Sequence, residues 1–141
     1  RFAVAVGRTR VIVLDTHVWL WWLHEPKQLS RRARDAIRKA ERDAAIRVSS
    51  ISVWEVAVKH KLGRLPLPLD IRRWYEMARQ YPAITIEPLD PIDAIESTAL
   101  PGEFHQDPAD RIIVALTRRH NATLVTVDRK ILDYQHVRAI G

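Results

Sequence analysis

Four acidic residues stand at positions where a folded chain could gather them into one site. Asp15 follows the apolar run VIVL at residues 11–14, and Asp128 follows the run TLVTV. Glu55 and Asp110 each lie near the start of a segment whose apolar residues recur at helical spacing. Carboxylates repel one another at short range, so such a group is costly unless a cation lies among them. Carboxylate oxygens, in a chain without cysteine and without histidines paired at metal spacing, favour Mg²⁺ or Mn²⁺ over zinc.

Each of these carboxylates also has a local explanation as a helix cap. Asp15 or Thr16 could cap the helix that follows the first strand, and Ser52-Val53-Trp54-Glu55 matches a capping box. Asp107 before Pro108 offers an N-cap for the helix that carries Asp110, and Asp128 could cap DRKIL. A cap is the better interpretation of any one of them alone. Their repeated occurrence at strand ends and helix starts favours a shared site, because an α/β sheet gathers these positions on one rim.

The chemistry of such a site would be hydrolysis of phosphodiesters. A divalent ion held by carboxylates can lower the pKa of a bound water, orient it for in-line attack and neutralise phosphate charge. The net charge of +6 and the pI near 10.2 favour a polyanionic partner, most often nucleic acid. The residues therefore predict a metal-dependent phosphodiesterase acting on nucleic acid. The alternative is a non-catalytic α/β nucleic-acid-binding module whose carboxylates are all caps.

Strands and helices alternate along the chain, and this order must position the acidic residues. Strands are predicted at residues 11–14, at Ile46–Ser49, and in AITIEPL, TLVTV and VRAI; the predicted helices run through the tryptophans, from Arg31, from Val53 to about Leu62, in DIRRWYEMARQ, in PIDAIESTAL, from Asp110 to His120, and in DRKIL. This alternation predicts an α/β fold: a single domain with a mainly parallel central sheet and helices on both faces.

Composition sets the remaining bounds. A chain of 141 residues with 47% hydrophobic content is long enough to bury a core as one domain without disulfides or structural metal. The N-terminal residues lack the long apolar core of a signal peptide, and the apolar run that ends at Leu23 is too short to span a bilayer. We expect a soluble cytoplasmic protein with no membrane association.

Three segments together resemble a known family: LDTHVWLWWL, SSISVWEVAVKHKLGRL and HQDPADRIIVALTRRHNATLVTVDRKIL. Their residues and order resemble the PIN-domain ribonucleases and, within them, the VapC-type toxins of bacterial toxin–antitoxin pairs. The resemblance implies that Asp15, Glu55 and Asp110 hold the metal, that Asp128 is the fourth and more variable acidic position, and that Thr126 places a hydroxyl near the bound water.

The resemblance also implies an activity and a partner. The activity is Mg²⁺- or Mn²⁺-dependent endonucleolytic cleavage of RNA, and the inhibitor is a cognate antitoxin, with a homodimer expected within the toxin–antitoxin complex. A PIN nuclease with a role in RNA processing or decay is the alternative within the same family. The similarity begins at Val11, so residues 11–141 are predicted to form the nuclease domain. Residues 1–10 are expected to be an extension, either a cloning remnant, a mis-assigned start or a basic arm; the missing initiator methionine favours the first two.

Other side chains are weaker candidates. Arg111 and Arg129 directly follow acidic site residues, and their guanidinium groups could pair with those carboxylates or bind phosphate. The helix after Asp15 carries three tryptophans that cannot all enter one side of a small core, so at least one is predicted to be exposed. We expect an antitoxin segment to bind a hydrophobic groove formed by this helix and the helix that carries Trp54; the predicted anchors are Trp19, Trp21, Trp22 and Trp54.

Overall fold

The structure is a computed structural model and describes residues 10–141. The expectations for the N-terminal extension therefore fall almost wholly outside the described residues. Its last residue, Arg10, donates from Nη1 to the backbone oxygen of Asn121 at 2.8 Å.

Strands and helices alternate as predicted. The strands are β1 (Ile12–Leu14), β2 (Ile46–Ser49), β3 (Ile84–Glu87), β4 (Thr123–Val125) and β5 (Arg138–Ile140). The α-helices of the described residues are α1 (Thr16–His24), α2 (Arg31–Arg42), α3 (Ser50–Lys61), α4 (Ile71–Ala78), α5 (Pro91–Glu96), α6 (Pro108–Arg119) and α7 (Arg129–Leu132).

The five strands form one parallel sheet in the order β3-β2-β1-β4-β5. The central strand β1 is buried on both faces, which is why its sequence is uninterrupted by polar residues. Ile12 and Leu14 belong to one core with residues of α1, α2 and α4, whereas Val13 belongs to a second core with residues of α6 and α7. The predicted α/β fold is confirmed.

The start of α3 differs from the prediction. The helix begins at Ser50, and its N-cap is Ser49, whose hydroxyl accepts from the backbone N–H of Ile51 at 3.1 Å. The predicted start at Val53 and the capping box from Ser52 to Glu55 are therefore wrong. Ser49 and Ser50 both suit an N-cap, so the run of serines concealed the boundary. One consequence is that Glu55 lies beyond the first turn, where its carboxylate is free to reach other elements.

The carboxyl end of α3 follows the prediction. Gly63 adopts a positive φ of 72° directly after the helix and donates its N–H to the backbone oxygen of His60 at 3.0 Å. The proline-containing segment that follows leads to α4. Within residues 10–141, none of the helices combines the length and the apolar character that crossing a bilayer requires.

Candidate active site

Asp15 lies at the carboxyl end of β1, between α1 and β4. Its Oδ1 accepts from the backbone N–H of Thr16 at 2.8 Å, so it caps α1 as predicted. Its Oδ2 accepts from the hydroxyl of Thr126 at 2.6 Å. The same hydroxyl oxygen accepts from the backbone N–H of Asp128 at 3.0 Å. Because Leu14 and Val125 are paired in the sheet, Thr126 is placed directly beside Asp15 and links it to Asp128.

Glu55 reaches the same edge from α3. Its Oε1 accepts from the hydroxyl of Thr16, and the oxygen of that hydroxyl lies 2.8 Å from Oγ of Ser52. A hydroxyl has a single hydrogen, so we assign a chain in which Ser52 donates to Thr16 and Thr16 donates to Glu55. This chain fixes α1 to α3 and holds the Glu55 carboxylate beside Asp15.

Asp110 enters the site from the first turn of α6. Its backbone N–H donates to the side chain of Asp107 at 2.9 Å, which confirms Asp107 as the N-cap of this helix. Its Oδ2 lies 2.7 Å from Nε2 of His105 in the preceding loop. One ligand atom each from His105, Asp110 and Asp128 lies within 4.8 Å of the other two, which is a spacing that a single cation could bridge.

The predicted acidic residues thus approach one another in two groups. Asp110 and Asp128 lie close together with His105. Asp15 and Glu55 join them through the hydroxyls of Thr16 and Thr126, and the charge of Asp15 acts on both Glu55 and Asp110.

The electrostatics of the site follow from this crowding. Burial raises the pKa of Asp15, although the hydrogen bonds from Thr126 and Thr16 partly oppose the rise. Burial also raises the pKa of Glu55 above its ordinary value. The pKa of Asp110 rises to about 6, first through burial and then through the negative charges of Asp15 and Asp107, against the opposing hydrogen bond from His105. Carboxylates in such surroundings bind a proton or a metal cation more readily than isolated ones do.

The donor set suits a hard divalent cation. The half-buried carboxylates of Asp110 and Asp128 lie close together, and the negative charge of Asp15 acts on Asp110, so a cation would neutralise unfavourable charge here. The described residues therefore contain a candidate acidic metal site, in which ligand atoms of Asp110 and Asp128 lie within 4.8 Å of each other.

The two arginines beside the site differ in their surroundings. Arg111 donates from Nε to the backbone oxygen of Ser97 at 2.7 Å and from Nη1 to those of Phe104 and His105 at 3.0 and 3.2 Å. These bonds engage Nε and Nη1 of its guanidinium in holding the loop before α6, and phosphate binding by Arg111 stays a prediction. Arg129, by contrast, has a side chain that is 79% exposed, and its Nη1 forms a surface ion pair with Asp133 at 3.5 Å.

The tryptophans are more buried than predicted. Trp19 is fully buried and packs edge-on against Trp74 with ring centroids 5.2 Å apart, so its proposed role as a surface anchor is wrong. Trp21 and Trp22 are half-buried against the same core, and the prediction that one of the three would be exposed is also wrong. The α1 helix meets several elements at once, and they cover more of its circumference than the helical pattern indicated. Trp54 on α3 is 59% exposed.

Sequence reasoning missed two residues of this site. Thr16 was considered only as a cap, yet its hydroxyl connects Glu55 and Ser52. His105 was not among the predicted site residues, yet it lies against Asp110. The available signal was its position, five residues before Asp110 in the loop that leads into α6. The sequence alone did not show that this loop turns toward the site.

The fold and the site together define a class of protein: an α/β domain with an acidic site at the carboxyl edge of a parallel sheet. Residues 12–137 match the PIN domain family, and the chain belongs to that family. It is 34% identical over 129 residues to Ribonuclease VapC22 of Mycobacterium tuberculosis, an alignment that covers 92% of this chain and 95% of that protein.

Solved structures share the fold. A DNA-bound VapBC complex from Salmonella typhimurium contains a chain that matches with a TM-score of 0.68 at 15% identity, covering 93% of this chain and 97% of that one. VapBC2 from Rickettsia felis, bound to a DNA fragment from its promoter, matches with a TM-score of 0.67 at 14% identity, covering 92% and 97%.

Proposed function

We propose that this protein is a divalent-metal-dependent endoribonuclease and the toxin of a toxin–antitoxin pair, acting in the cytoplasm through a nuclease domain that spans residues 11–141. The observation that carries the proposal is the convergence of Asp15, Asp110 and Asp128 at one sheet edge, with Glu55 held beside them. The 34% identity to a protein named as a ribonuclease supports the substrate class.

In this proposal the four carboxylates hold Mg²⁺ or Mn²⁺. When bound, the ion supplies positive charge for the phosphodiester and a water of lowered pKa. Thr126 keeps the Asp15 carboxylate in place through its 2.6 Å hydrogen bond, and Thr16 does the same for Glu55. Preorganised carboxylates need no rearrangement when metal and RNA bind, which lowers the cost of reaching the reactive geometry. Arg129 contacts a phosphate of the substrate in this proposal, which its exposure beside Asp128 supports.

The partner in this proposal is a cognate antitoxin that binds a homodimer of this chain. Solved complexes with the same fold are toxin–antitoxin complexes, which supports an antitoxin partner. An apolar cleft of about 320 Å³ lies at the carboxyl end of α1, lined by Leu23, His24, Pro68, Leu69, Trp74, Met77 and Ala78. Its apolar lining suits a hydrophobic segment of an antitoxin. The half-buried Trp21 and Trp22 and the exposed Trp54 remain candidate contacts.

The test of the ribonuclease proposal is cleavage by purified protein in Mg²⁺, Mn²⁺, Ca²⁺ and EDTA. We expect Asp110→Asn to lower the cleavage rate at least about 100-fold, because asparagine keeps the shape and hydrogen-bond acceptor while removing the charge that holds the ion. Asp70→Asn is the matched control, because Asp70 likewise caps a helix but lies in an exposed position at the start of α4. Wild-type cleavage in excess EDTA, or from folded Asp110→Asn, would contradict the proposal.

A further inference from the structure

His105 has an unusual environment for a loop residue. Its ring is mostly buried, with 20% of the side chain exposed, and Nε2 lies 2.7 Å from Oδ2 of Asp110. The other ring nitrogen, Nδ1, is sealed from solvent and has no hydrogen-bond partner among the described residues. This difference between the two nitrogens determines which of them carries the hydrogen.

The surroundings of Nδ1 select one tautomer. If Nδ1 carried a hydrogen, that buried donor would be unsatisfied, which is costly whether the ring is neutral or protonated. A hydrogen on Nε2 alone satisfies the close contact to Asp110 and leaves only a lone pair at Nδ1. Direct metal ligation by Nε2 would move the hydrogen to Nδ1, where metal-bound histidines ordinarily have an acceptor and His105 has none within residues 10–141. The ring is therefore a hydrogen-bond donor to Asp110.

Contacts other than the one to Asp110 fix the position of the ring. It packs against Phe104 with ring centroids 4.3 Å apart, and Phe104 packs in turn against Tyr134 at 4.7 Å. The backbone oxygens of Phe104 and His105 both accept from Arg111, whose Nε is bonded to Ser97. The loop thus presents Nε2 at a fixed point beside the carboxylate of Asp110.

We propose that His105 is a positioning residue of the active site: it donates from Nε2 to Oδ2 of Asp110 and thereby turns the carboxylate toward the metal site shared with Asp128. The inference rests on the proposed metal-dependent function and adds a residue to it. His105 acts through Asp110 and does not touch the ion.

The test compares Mn²⁺ affinity, measured by electron paramagnetic resonance of free Mn²⁺, in wild type, His105→Leu and His105→Gln. Leucine removes the donor and should weaken Mn²⁺ binding about 10- to 100-fold, the usual effect of losing a group that orients a metal ligand. The glutamine amide can reach Asp110 with an N–H and should keep affinity within about threefold of wild type, since the donor is the property that matters. His120→Leu is the matched control: His120 also contacts a carboxylate, Glu87, at 2.9 Å and is 22% exposed, but it follows α6 at the opposite end of that helix from Asp110.

Three results would overturn the inference. One is wild-type affinity in folded His105→Leu, and another is a loss in His105→Gln as large as in His105→Leu. The third is a directly bonded nitrogen in the spin-echo spectrum of wild type with Mn²⁺, since a ligand is not a positioning residue. If His105→Leu does not fold, His105→Asn takes its place, because its shorter amide keeps polarity but falls short of Asp110. Wild-type protein that binds Mn²⁺ yet leaves RNA intact would refute the ribonuclease proposal and leave this comparison valid.

Discussion

At the residue scale, the carboxylates serve as helix caps and as site residues at the same time. Asp15 accepts the first N–H of α1 with Oδ1 and the Thr126 hydroxyl with Oδ2, and Asp128 caps α7 while lying beside Asp110. Sequence reasoning treated capping and metal binding as alternatives. A carboxylate has two oxygens and several lone pairs, so one residue can fill both roles.

The raised pKa of Asp110 leads to a prediction about stability. Its pKa is about 6 in the folded protein against an ordinary value of 3.8, so the folded state binds the proton more tightly than the unfolded state. This contribution to stability is therefore largest below the unfolded value and is lost as pH rises through about 6. In EDTA at pH 7.5, Asp110→Asn should be more stable than wild type, by about 1–2 kcal/mol after allowance for neighbouring carboxylates that titrate with it.

The measurement is urea unfolding of wild type and Asp110→Asn in EDTA at pH 4.5 and 7.5. The free energy of unfolding of Asp110→Asn should exceed that of wild type by little at pH 4.5 and by more at pH 7.5. Mn²⁺ should make wild type the more stable of the two, because it binds and stabilises the wild-type folded state. An equal difference at both pH values would contradict the assignment of a raised pKa to Asp110.

At the element scale, the strands and most helices were predictable because their signals are local. The buried run at β1, the serine cap of α2, the proline at the start of α6 and Gly63 each indicate an element through its own residues. The errors arose where the outcome depends on contacts between elements. The capping box from Ser52 to Glu55 was wrong because Glu55 accepts from Thr16, which lies 39 positions away in sequence, and Trp19 was expected at a surface that other elements cover. The spacing of apolar residues along the sequence carries no information about such contacts between elements.

The burial of Trp19 and the exposure of Trp54 predict opposite effects of the same substitution. Trp19→Ala should lower the free energy of unfolding by about 3–5 kcal/mol, because it leaves a cavity in a core that surrounds the ring completely. Trp54→Ala should change it by less than about 1 kcal/mol, because a largely solvated side chain loses few contacts. Chemical unfolding monitored by circular dichroism gives both values.

The same pair of variants tests the antitoxin surface. If Trp54 is an anchor, Trp54→Ala should weaken antitoxin binding by at least about 2 kcal/mol in a titration, with the fold intact. Met77→Ala is a second variant, since Met77 is 65% exposed and lines the apolar cleft near α1. Wild-type antitoxin affinity in both variants would show that neither Trp54 nor Met77 belongs to the antitoxin-binding surface.

At the scale of the whole molecule, the positive net charge and the acidic site have opposite signs. The chain carries 23 lysines and arginines against 17 aspartates and glutamates, although several of the acidic groups are gathered at the site. RNA would be repelled by those carboxylates without a bound cation, so surface basic residues must supply the attraction that brings the backbone to the site. Affinity for RNA should therefore fall with salt, because phosphate contacts release counterions.

Arg129 allows a quantitative prediction for the salt dependence of RNA binding. If its exposed guanidinium contacts one phosphate, Arg129→Ala should reduce the slope of log affinity against log salt by about 0.7, the value for one contact to a single strand. Arg73→Ala is the matched control, because Arg73 is 78% exposed and forms a similar surface pair with Asp70 at 3.6 Å on α4. Binding is measured by fluorescence anisotropy of a labelled single-stranded RNA between 50 and 300 mM KCl, about the range in which such slopes are resolved, in the Asp110→Asn background to prevent cleavage. Equal salt-dependence slopes for the two alanine variants would show that Arg129 does not contact the RNA. A reduced slope for Arg129→Ala alone would place the RNA backbone over the start of α7.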